Sequence, residues 1–125
     1  MIIGIGTDFV EVRRIQEMIE QYGAQFLRRV FTQAEQDFCN AKSERMYLHY
    51  AARFAFKEAC SKAMGTGVAD GFEFKDCEVV SLPNGKPEVR LHGVLAERWN
   101  TQRIMVTLTH TEEHALAFVV IEHDT

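Results

Sequence analysis

The stretch RFAFKEACSKAMGTG at residues 53–67 decides the fold, because it holds most of the longest helical pattern in the chain, residues 44–64. Small and apolar side chains recur in that pattern at helical spacing, which predicts a helix lying close against a sheet. These positions are Leu48, Ala52, Ala55, Phe56, Ala59 and Ala63. Gly65 and Gly67 are predicted to end the helix, since glycine is common just beyond a helix C-terminus.

The rest of the pattern predicts a small antiparallel sheet. Strand-like runs occur at residues 2–8, 72–82, 86–91, 104–110 and 114–122. Asn84-Gly85 is a strong turn signal, so the second and third runs are predicted to form a hairpin. The last two runs are predicted to form another hairpin, joined at about residues 110–114.

Shorter helices complete the prediction. Residues 12–23 have a helical pattern ended by a glycine, and a further short helix is expected at residues 93–100. Thr32 followed by Glu35 is a capping-box pattern, which predicts a helix that continues to about Asn40. The expected fold is therefore α+β, with a small antiparallel sheet packed on one long helix.

The composition indicates a single soluble domain over residues 1–125, since no repeat or linker interrupts the chain. No apolar run approaches the roughly 20 residues that span a membrane. The first residues lack a basic region and a small-residue cleavage site, so we expect no signal peptide and a cytoplasmic location. Cys39, Cys60 and Cys77 lack metal-type spacing and are expected to be reduced thiols.

The charge is unevenly distributed along the chain. The formal net charge is −4, yet residues 13–62 hold nine Lys/Arg against six Asp/Glu. The overall acidic balance argues against a nucleic-acid partner. A local basic surface on an acidic protein fits an acidic protein partner or a phosphorylated small molecule, while a solvated helix face would explain any single arginine equally well.

Two carboxylates from separate elements are the candidate metal ligands. Asp8 ends the first strand in GIGTDFVEV, residues 4–12, and Glu58 lies in the long helix. Two such carboxylates can share one hard divalent cation. Two structural alternatives stay open: Asp8 as the N-cap of the helix that begins near Glu11, and Glu58 as the i,i+4 ion-pair partner of Lys62.

Neighbouring residues suit an anion. Lys62 and the Gly-Thr-Gly segment at residues 65–67 offer an ammonium and backbone N–H groups, which often bind phosphate. The glycines of a Walker A loop precede its lysine, so this is a different arrangement. His110 and Thr111 add an imidazole and a hydroxyl, unless His110 is an ordinary turn histidine. Together these residues predict metal-assisted chemistry on a phosphate-containing substrate.

Five blocks of the sequence resemble the holo-acyl-carrier-protein synthase family, the small bacterial type of 4′-phosphopantetheinyl transferase. The blocks, in order, are GIGTDFVEV, FTQAE, RFAFKEACSKAMGTG, NGKPEVRL and TLTHT, and they cover nearly the whole chain. The resemblance implies the 4′-phosphopantetheinyl transferase fold in a homotrimer with active sites at subunit interfaces. It also implies Mg²⁺-dependent transfer of the 4′-phosphopantetheine arm of coenzyme A to a serine of acidic apo-acyl carrier protein, in fatty acid biosynthesis, with release of adenosine 3′,5′-bisphosphate.

The resemblance implies roles for single residues. Asp8 and Glu58 match the family's Mg²⁺ ligands, and Lys62 would act electrostatically on the phosphates. The proton acceptor is open between Glu58 and a metal-held water positioned by Glu35, where the family more often has aspartate. Contacts to coenzyme A are implied for Arg45, Arg53, Lys62, Gly65, His110 and Thr111.

Arg13 and Arg14 match the basic helix that receives the acidic carrier protein, in agreement with the uneven charge. The departures from the family pattern are modest. Phe9 stands where isoleucine is frequent, and Phe72 and Phe74 occupy a segment where tryptophan is frequent. TLTHT replaces the commoner SLSHT, and no implied ligand is lost.

Two other functions fit parts of the pattern. A Mg²⁺-dependent hydrolase of nucleotides or pyrophosphates would use the same carboxylates with water as the nucleophile, but it has no need of a basic surface for an acidic protein. A homo-oligomeric binding module would use Asp8 as a helix cap and Glu58 with Lys62 as a surface pair. It predicts no Mg²⁺-dependent binding of coenzyme A.

Overall fold

The structure is a computed structural model that describes residues 1–67 and 71–123. The strands in these ranges are β1 (Ile2–Glu11), β2 (Cys77–Ser81), β3 (Pro87–Leu91), β4 (Gln102–His110) and β5 (His114–His123). The helices are α1 (Val12–Tyr22), α2 (Ala24–Val30), α3 (Gln33–Asn40), α4 (Met46–Met64) and α5 (Gly93–Arg98). Single turns of 3₁₀ helix lie at Ser43–Arg45 and Phe74–Asp76.

Three strands form the main sheet in the order β1-β5-β4, and β2 pairs with β3 in a separate hairpin. All pairings are antiparallel, so the predicted sheet type and both predicted hairpins are confirmed. The register places Asp8 of β1 and Leu108 of β4 on either side of Ala117 of β5. His110, the last residue of β4, therefore lies at the same end of the main sheet as Asp8.

Helix α4 packs directly on β1 because two glycines of the strand leave room for the helix backbone. A Cβ atom on Gly4 would overlap the carbonyl oxygen of Ala63, and one on Gly6 would overlap that of Ala59. The predicted close packing of a small-residue helix face on a sheet is thus confirmed. Asp8 is the next residue on the same strand face, since side chains alternate along a strand. The strand therefore directs its carboxylate toward α4.

Strand β1 continues past its predicted end at Asp8 and leads directly into α1. Glu11 occupies the N-cap position of α1, and its side chain makes no capping hydrogen bond. The alternative in which Asp8 caps this helix is therefore wrong. The reason is the unbroken pairing of β1 with β5, which holds Asp8 in the sheet opposite Ala117.

The other differences concern element boundaries. The strand predicted from residue 72 begins at Cys77, because Phe74–Asp76 form a 3₁₀ turn. Likewise, Ser43–Arg45 form a 3₁₀ turn where the long helix is predicted to begin. Helix α2 is absent from the prediction, since its buried residues Phe26 and Val30 mark only a single turn of apolar spacing.

Two predicted helix ends are confirmed. The Thr32 hydroxyl accepts a hydrogen bond from the Glu35 N–H, and the Glu35 carboxylate accepts one from the Thr32 N–H, which completes the capping box. Gly65 ends α4 in the left-handed conformation with a φ of 82°.

Across the two described ranges, no helix combines the length and the apolar character needed to cross a membrane.

Candidate active site

The Asp8 carboxylate and the Lys62 ammonium meet where β1 packs on α4. Lys62 Nζ lies 3.0 Å from Asp8 Oδ1 and 3.0 Å from the carbonyl oxygen of Thr7. The Lys62 side chain is 52% exposed and the Asp8 side chain 18% exposed, so the pair is open to solvent on one side. Among the ion pairs of the described residues, Lys62 takes part in this one and in none with Glu58. The alternative of a Glu58–Lys62 ion pair is therefore wrong, because Lys62 reaches across to the strand.

Glu58 is the second carboxylate at this junction. Burial and the negative charge of Asp8 raise its pKa, while Lys62 and Arg14 act in the opposite direction. Glu58 lies one helical turn before Lys62 on α4, and Lys62 Nζ contacts Asp8 Oδ1, so both carboxylates lie at the same junction. The structure thus brings together Asp8 and Glu58, the two carboxylates that the sequence predicts as partners.

The two carboxylates fit Mg²⁺ that is shared with a substrate. No group of three or more His, Cys, Asp or Glu side chains in residues 1–67 and 71–123 is arranged to hold a metal ion. Mg²⁺ is usually bound by one or two carboxylates, with waters and substrate phosphate oxygens as the other ligands. A cation between Asp8 and Glu58 would also relieve the repulsion that raises the Glu58 pKa.

The segment after α4 leaves fewer free N–H groups than the sequence predicts. The Gly65 N–H donates to the carbonyl oxygen of Lys62 at 3.1 Å, and the Gly67 N–H donates to that of Ser61 at 3.2 Å. Both N–H groups therefore satisfy the end of the helix. Among residues 1–67 and 71–123, no heavy atom lies within 4 Å of where a Gly65 Cβ would stand. What Gly65 offers a ligand, as far as the described residues show, is room beside the backbone.

A second cationic feature lies in a cavity of about 230 Å³ between α4, β4 and the β2–β3 hairpin, which we call the Arg53 cavity. Arg53 is 3% exposed, and its guanidinium carbon lies 4.0 Å from the centroid of the Phe38 ring. Its Nη2 donates to Ser81 Oγ at 3.3 Å, while its Nε is buried without a hydrogen-bond partner in the described part of the chain. A buried donor left unpaired is costly, so an anionic ligand here would be stabilised.

Two histidines line the Arg53 cavity, and the sequence predicts only His110. The ring centroids of His49 and His110 are 6.3 Å apart. Burial lowers the pKa of His49 to about 4, together with the positive charges of Arg53, Lys42, His110 and Arg45. These groups therefore converge on one place, where an anion would offset their repulsion. His49 lies one helical turn before Arg53, and this spacing is the sequence signal that identifies it.

Thr111, another implied coenzyme A contact, has a structural task in the β4–β5 turn. Its hydroxyl oxygen accepts hydrogen bonds from the N–H groups of Glu113 at 3.3 Å and His114 at 3.1 Å. The Thr111 N–H in turn donates to the carbonyl oxygen of His114 at 2.8 Å. The side chain thus closes the turn that follows His110.

Glu35 lies in the protein interior, in contact with Lys57. Its Oε1 is 2.8 Å from Lys57 Nζ and accepts the Thr32 N–H at 3.0 Å, while its Oε2 accepts the Val79 N–H at 3.1 Å. Both charged side chains are fully buried, and Lys57 also donates to two backbone carbonyl oxygens. Every polar atom of the pair is thus partnered, as a buried ion pair requires. Holding a metal-bound water would require Glu35 to leave one of these partners.

The two arginines predicted to receive a carrier protein lie in different surroundings. Arg13 Nε is 3.0 Å from Glu17 Oε1, in a hollow rich in glutamate. The Arg14 guanidinium carbon is 5.9 Å from the Phe54 ring centroid, and its charge lowers the Glu58 pKa. Arg14 therefore lies on the same side of the molecule as the candidate site. The glutamates beside Arg13 are Glu11, Glu17, Glu20, Glu112 and Glu113.

An apolar groove beside Arg14 has no counterpart in the sequence prediction. It has a volume of about 680 Å³ and lies between α1, α2 and residues 72–74, so no local sequence pattern reveals it. Phe54, the residue under Arg14, forms part of its wall. The other apolar residues of the groove are Met18, Tyr22, Phe26, Val30, Phe72 and Phe74. Arg29 and Glu73 are its charged residues.

Comparison with known proteins identifies relatives over almost the full chain. Residues 4–119 match the model of the 4′-phosphopantetheinyl transferase superfamily. The holo-[acyl-carrier-protein] synthase of Methylobacterium radiotolerans is 46% identical to this chain over an aligned length of 129 residues. The alignment covers 98% of this chain and 94% of that protein.

Solved structures share the fold. The holo-[acyl-carrier-protein] synthase of Neisseria meningitidis has a TM-score of 0.85 at 34% identity, covering 98% of this chain and 99% of that one. The Bacillus anthracis synthase, in complex with CoA (3′,5′-ADP), has a TM-score of 0.83 at 35% identity, covering 98% of both chains. The expected α+β fold is confirmed. The chain therefore belongs to the holo-[acyl-carrier-protein] synthase family of the 4′-phosphopantetheinyl transferase superfamily.

Proposed function

We propose that this protein transfers the 4′-phosphopantetheine arm of coenzyme A to a serine hydroxyl of apo-acyl carrier protein in a Mg²⁺-dependent reaction. The observation that carries the proposal is the Asp8–Lys62 pair beside Glu58. It combines two carboxylates for a divalent cation with an ammonium for a phosphate. The relatives support the same substrates, since one is named a holo-[acyl-carrier-protein] synthase and another is in complex with CoA (3′,5′-ADP).

The reaction forms one P–O bond and breaks another. The serine oxygen attacks the phosphorus that carries the pantetheine arm, and the bond from this phosphorus to the bridging oxygen breaks. Adenosine 3′,5′-bisphosphate leaves with that electron pair. Asp8 and Glu58 would hold Mg²⁺, which supplies positive charge to the phosphate oxygens and the leaving group. The Lys62 ammonium adds positive charge at the same junction.

Glu58 is the proton acceptor that we propose. Its carboxylate is partly exposed and lies at the junction of Asp8 and Lys62, where the reacting phosphate is proposed to bind. The other candidate is a metal-held water positioned by Glu35, but both carboxylate oxygens of Glu35 are occupied by buried partners. In our proposal the proton of the serine hydroxyl passes to Glu58, and Glu35 supports the fold.

We assign a phosphate group at the nucleotide end of coenzyme A to the Arg53 cavity. Arg53 presents a buried N–H without a partner among the described residues, and Arg45 and His110 contribute to the same field. This cavity and the Asp8 junction lie toward the same end of the main sheet. The pyrophosphate would then lie toward Lys62 and Gly65.

We assign the carrier protein to Arg14 and the apolar groove beside it. The groove offers aromatic side chains and a methionine, which are enriched at the centres of protein interfaces. Arg14 and Arg29 add positive charge that complements an acidic partner. Arg13 is not part of this assignment, because it is paired with Glu17 among other glutamates.

The outer face of the main sheet is the surface that we assign to subunit association. This face points away from α4 and exposes large apolar side chains, among them Ile5 at 62% and Phe9 at 63%. Contiguous apolar patches of this kind usually mark an interface. We propose that three copies of the chain associate through this face and that the active sites lie between subunits, as the family resemblance implies.

We place the reaction in the cytoplasm, where the product would serve fatty acid biosynthesis. Cys39, Cys60 and Cys77 are buried and unpaired. Unpaired thiols are the usual state in a reducing compartment.

Mass spectrometry of the carrier protein tests the proposed function. The protein is incubated with apo-acyl carrier protein and coenzyme A, with Mg²⁺ or with a chelator. We expect the carrier to gain the mass of one phosphopantetheine arm only when Mg²⁺ is present. Adenosine 3′,5′-bisphosphate should be released only when the carrier is present. Release without the carrier would instead support the hydrolase alternative, and no mass gain would refute the transfer.

A further inference from the structure

His49 lies in the wall of the Arg53 cavity, although it belongs to none of the five sequence blocks that carry the family resemblance. Its ring packs edge to face against Phe38 at 5.6 Å and against His110 at 6.3 Å. Within residues 1–67 and 71–123, neither ring nitrogen of His49 has a hydrogen-bond partner. The ring therefore has a nitrogen available for a ligand that enters the cavity.

All the charged or ionisable groups that act on His49 carry positive charge or can gain it. They come from α4 (Arg53), from the 3₁₀ turn before it (Arg45), from the segment after α3 (Lys42) and from β4 (His110). With burial, they lower the His49 pKa to about 4, so the ring is neutral near pH 7. An anion entering the cavity would oppose this field and favour the protonated ring.

The size of the cavity limits which part of a ligand can occupy it. Its volume of about 230 Å³ is below the roughly 300 Å³ at which pockets for whole small molecules begin. One phosphate group fits this volume better than a complete nucleotide. Coenzyme A carries a single terminal phosphate on its ribose, apart from the pyrophosphate.

We propose, on the basis of the function proposed above, that His49 is a further coenzyme A-binding residue whose ring N–H donates a hydrogen bond to the 3′-phosphate. His49 thereby helps the enzyme distinguish coenzyme A from dephospho-coenzyme A, which lacks this phosphate. In the free protein the neutral ring adds no charge to a cluster that is already cationic.

NMR titration of the imidazole resonances tests this inference on the intact protein, and His49→Gln assigns the His49 signal. With adenosine 3′,5′-bisphosphate bound, we expect the His49 pKa to rise by about one unit or more. With adenosine 5′-phosphate it should stay near its value of about 4 in the free protein. An unchanged pKa with bisphosphate bound, or an equal rise with both nucleotides, would overturn the inference.

Binding measurements near pH 6 give a second test. His49→Gln should weaken coenzyme A binding by about tenfold, the size expected for one hydrogen bond to a charged group, and leave dephospho-coenzyme A unaffected. His123→Gln, at the exposed end of β5, is the matched control and should change neither. Equal losses for both ligands would assign His49 a merely structural role. If His49→Gln kept the preference for coenzyme A over dephospho-coenzyme A and still transferred the arm, only this inference would fail. If the wild-type protein transferred no arm, the proposed function itself would be refuted.

Discussion

The Lys62 ammonium lies 3.0 Å from Asp8 Oδ1, so a lysine of α4 occupies the place beside Asp8 that the proposed function gives to Mg²⁺. The same ammonium contacts the carbonyl oxygen of Thr7 at 3.0 Å and so joins α4 to β1 twice. Under the proposed function, lysine and metal would therefore compete for one carboxylate in the free protein. A phosphate substrate would provide the ammonium with a second partner and ease that competition.

Replacing the ammonium should therefore strengthen metal binding in the absence of substrate. Lys62→Met is expected to bind Mg²⁺ alone up to about fivefold more tightly, since an exposed ion pair is worth roughly 0.2–1 kcal/mol. Its transfer rate should nevertheless fall, because charge near the phosphates is lost. Isothermal titration with Mg²⁺ measures the affinity, and Lys86→Met, on the exposed hairpin turn, is the control. Weaker Mg²⁺ binding by Lys62→Met would contradict the competition.

The close packing of α4 on β1 predicts that adding a single methyl group at a β1 glycine strongly destabilises the protein. In Gly6→Ala the new Cβ would overlap the Ala59 carbonyl oxygen, so the helix must move. We expect the free energy of unfolding to fall by about 3 kcal/mol or more. Gly85→Ala is the comparison: its φ is 86° and its surroundings are open, so only backbone strain of about 1–2 kcal/mol is expected. If urea unfolding showed the same loss in the free energy of unfolding for both variants, the close approach of α4 at Gly6 would not be the cause.

Local sequence patterns predicted the parts of the fold that depend on neighbouring residues. The Thr32–Glu35 capping box and the end of α4 at Gly65 are of this kind. The length of β1 was mispredicted because pairing with β5, at the other end of the chain, keeps the backbone at Asp8 extended. The pairing of Lys62 with Asp8 was not predicted, since the two residues are distant in sequence; the sequence alone leaves the Glu58–Lys62 pair open as an alternative.

The sequence predicted part of the candidate site, as it predicted part of the fold. The sequence identified Asp8, Glu58 and Arg53 through family motifs, and the structure brings the two carboxylates together. His49 and the apolar groove beside Arg14 were not predicted, because each depends on elements that only the folded chain brings into contact. Charge counts alone also gave no means of separating Arg13 from Arg14.

The different surroundings of Arg13 and Arg14 predict unequal effects on the carrier protein. Arg14→Glu should raise the KM for the acidic carrier by about tenfold and raise the KM for coenzyme A less, because it reverses a charge beside the groove. Arg13→Glu should change the carrier KM much less, since Arg13 is already paired with Glu17. Steady-state kinetics with each substrate varied gives both values. A larger effect from Arg13→Glu would refute this placement of the carrier.

The exposed apolar residues on the outer face of the main sheet predict which substitution should disrupt the proposed trimer. Ile5→Asp places a charge on this face, where Ile5 is 62% exposed in the single chain, and should convert trimers to smaller species. Size-exclusion chromatography with light scattering measures the mass. Val94→Asp, at an exposed apolar residue of α5, should leave the mass unchanged. A trimer that survives Ile5→Asp, or a monomeric wild type, would rule out association through this face.

The central claim is that Asp8 and Glu58 hold the Mg²⁺ used in arm transfer, and the single-turnover transfer rate of Asp8→Asn tests it most directly. This substitution keeps the side-chain shape and removes the charge that a cation needs. We expect the rate with saturating coenzyme A and limiting Mg²⁺ to fall by about 100-fold or more, with a far-UV circular dichroism spectrum like that of the wild type. Asp37→Asn, an exposed aspartate of α3, should retain the full rate. A folded Asp8→Asn protein that transfers the arm at a near-wild-type rate under these conditions would contradict the claim.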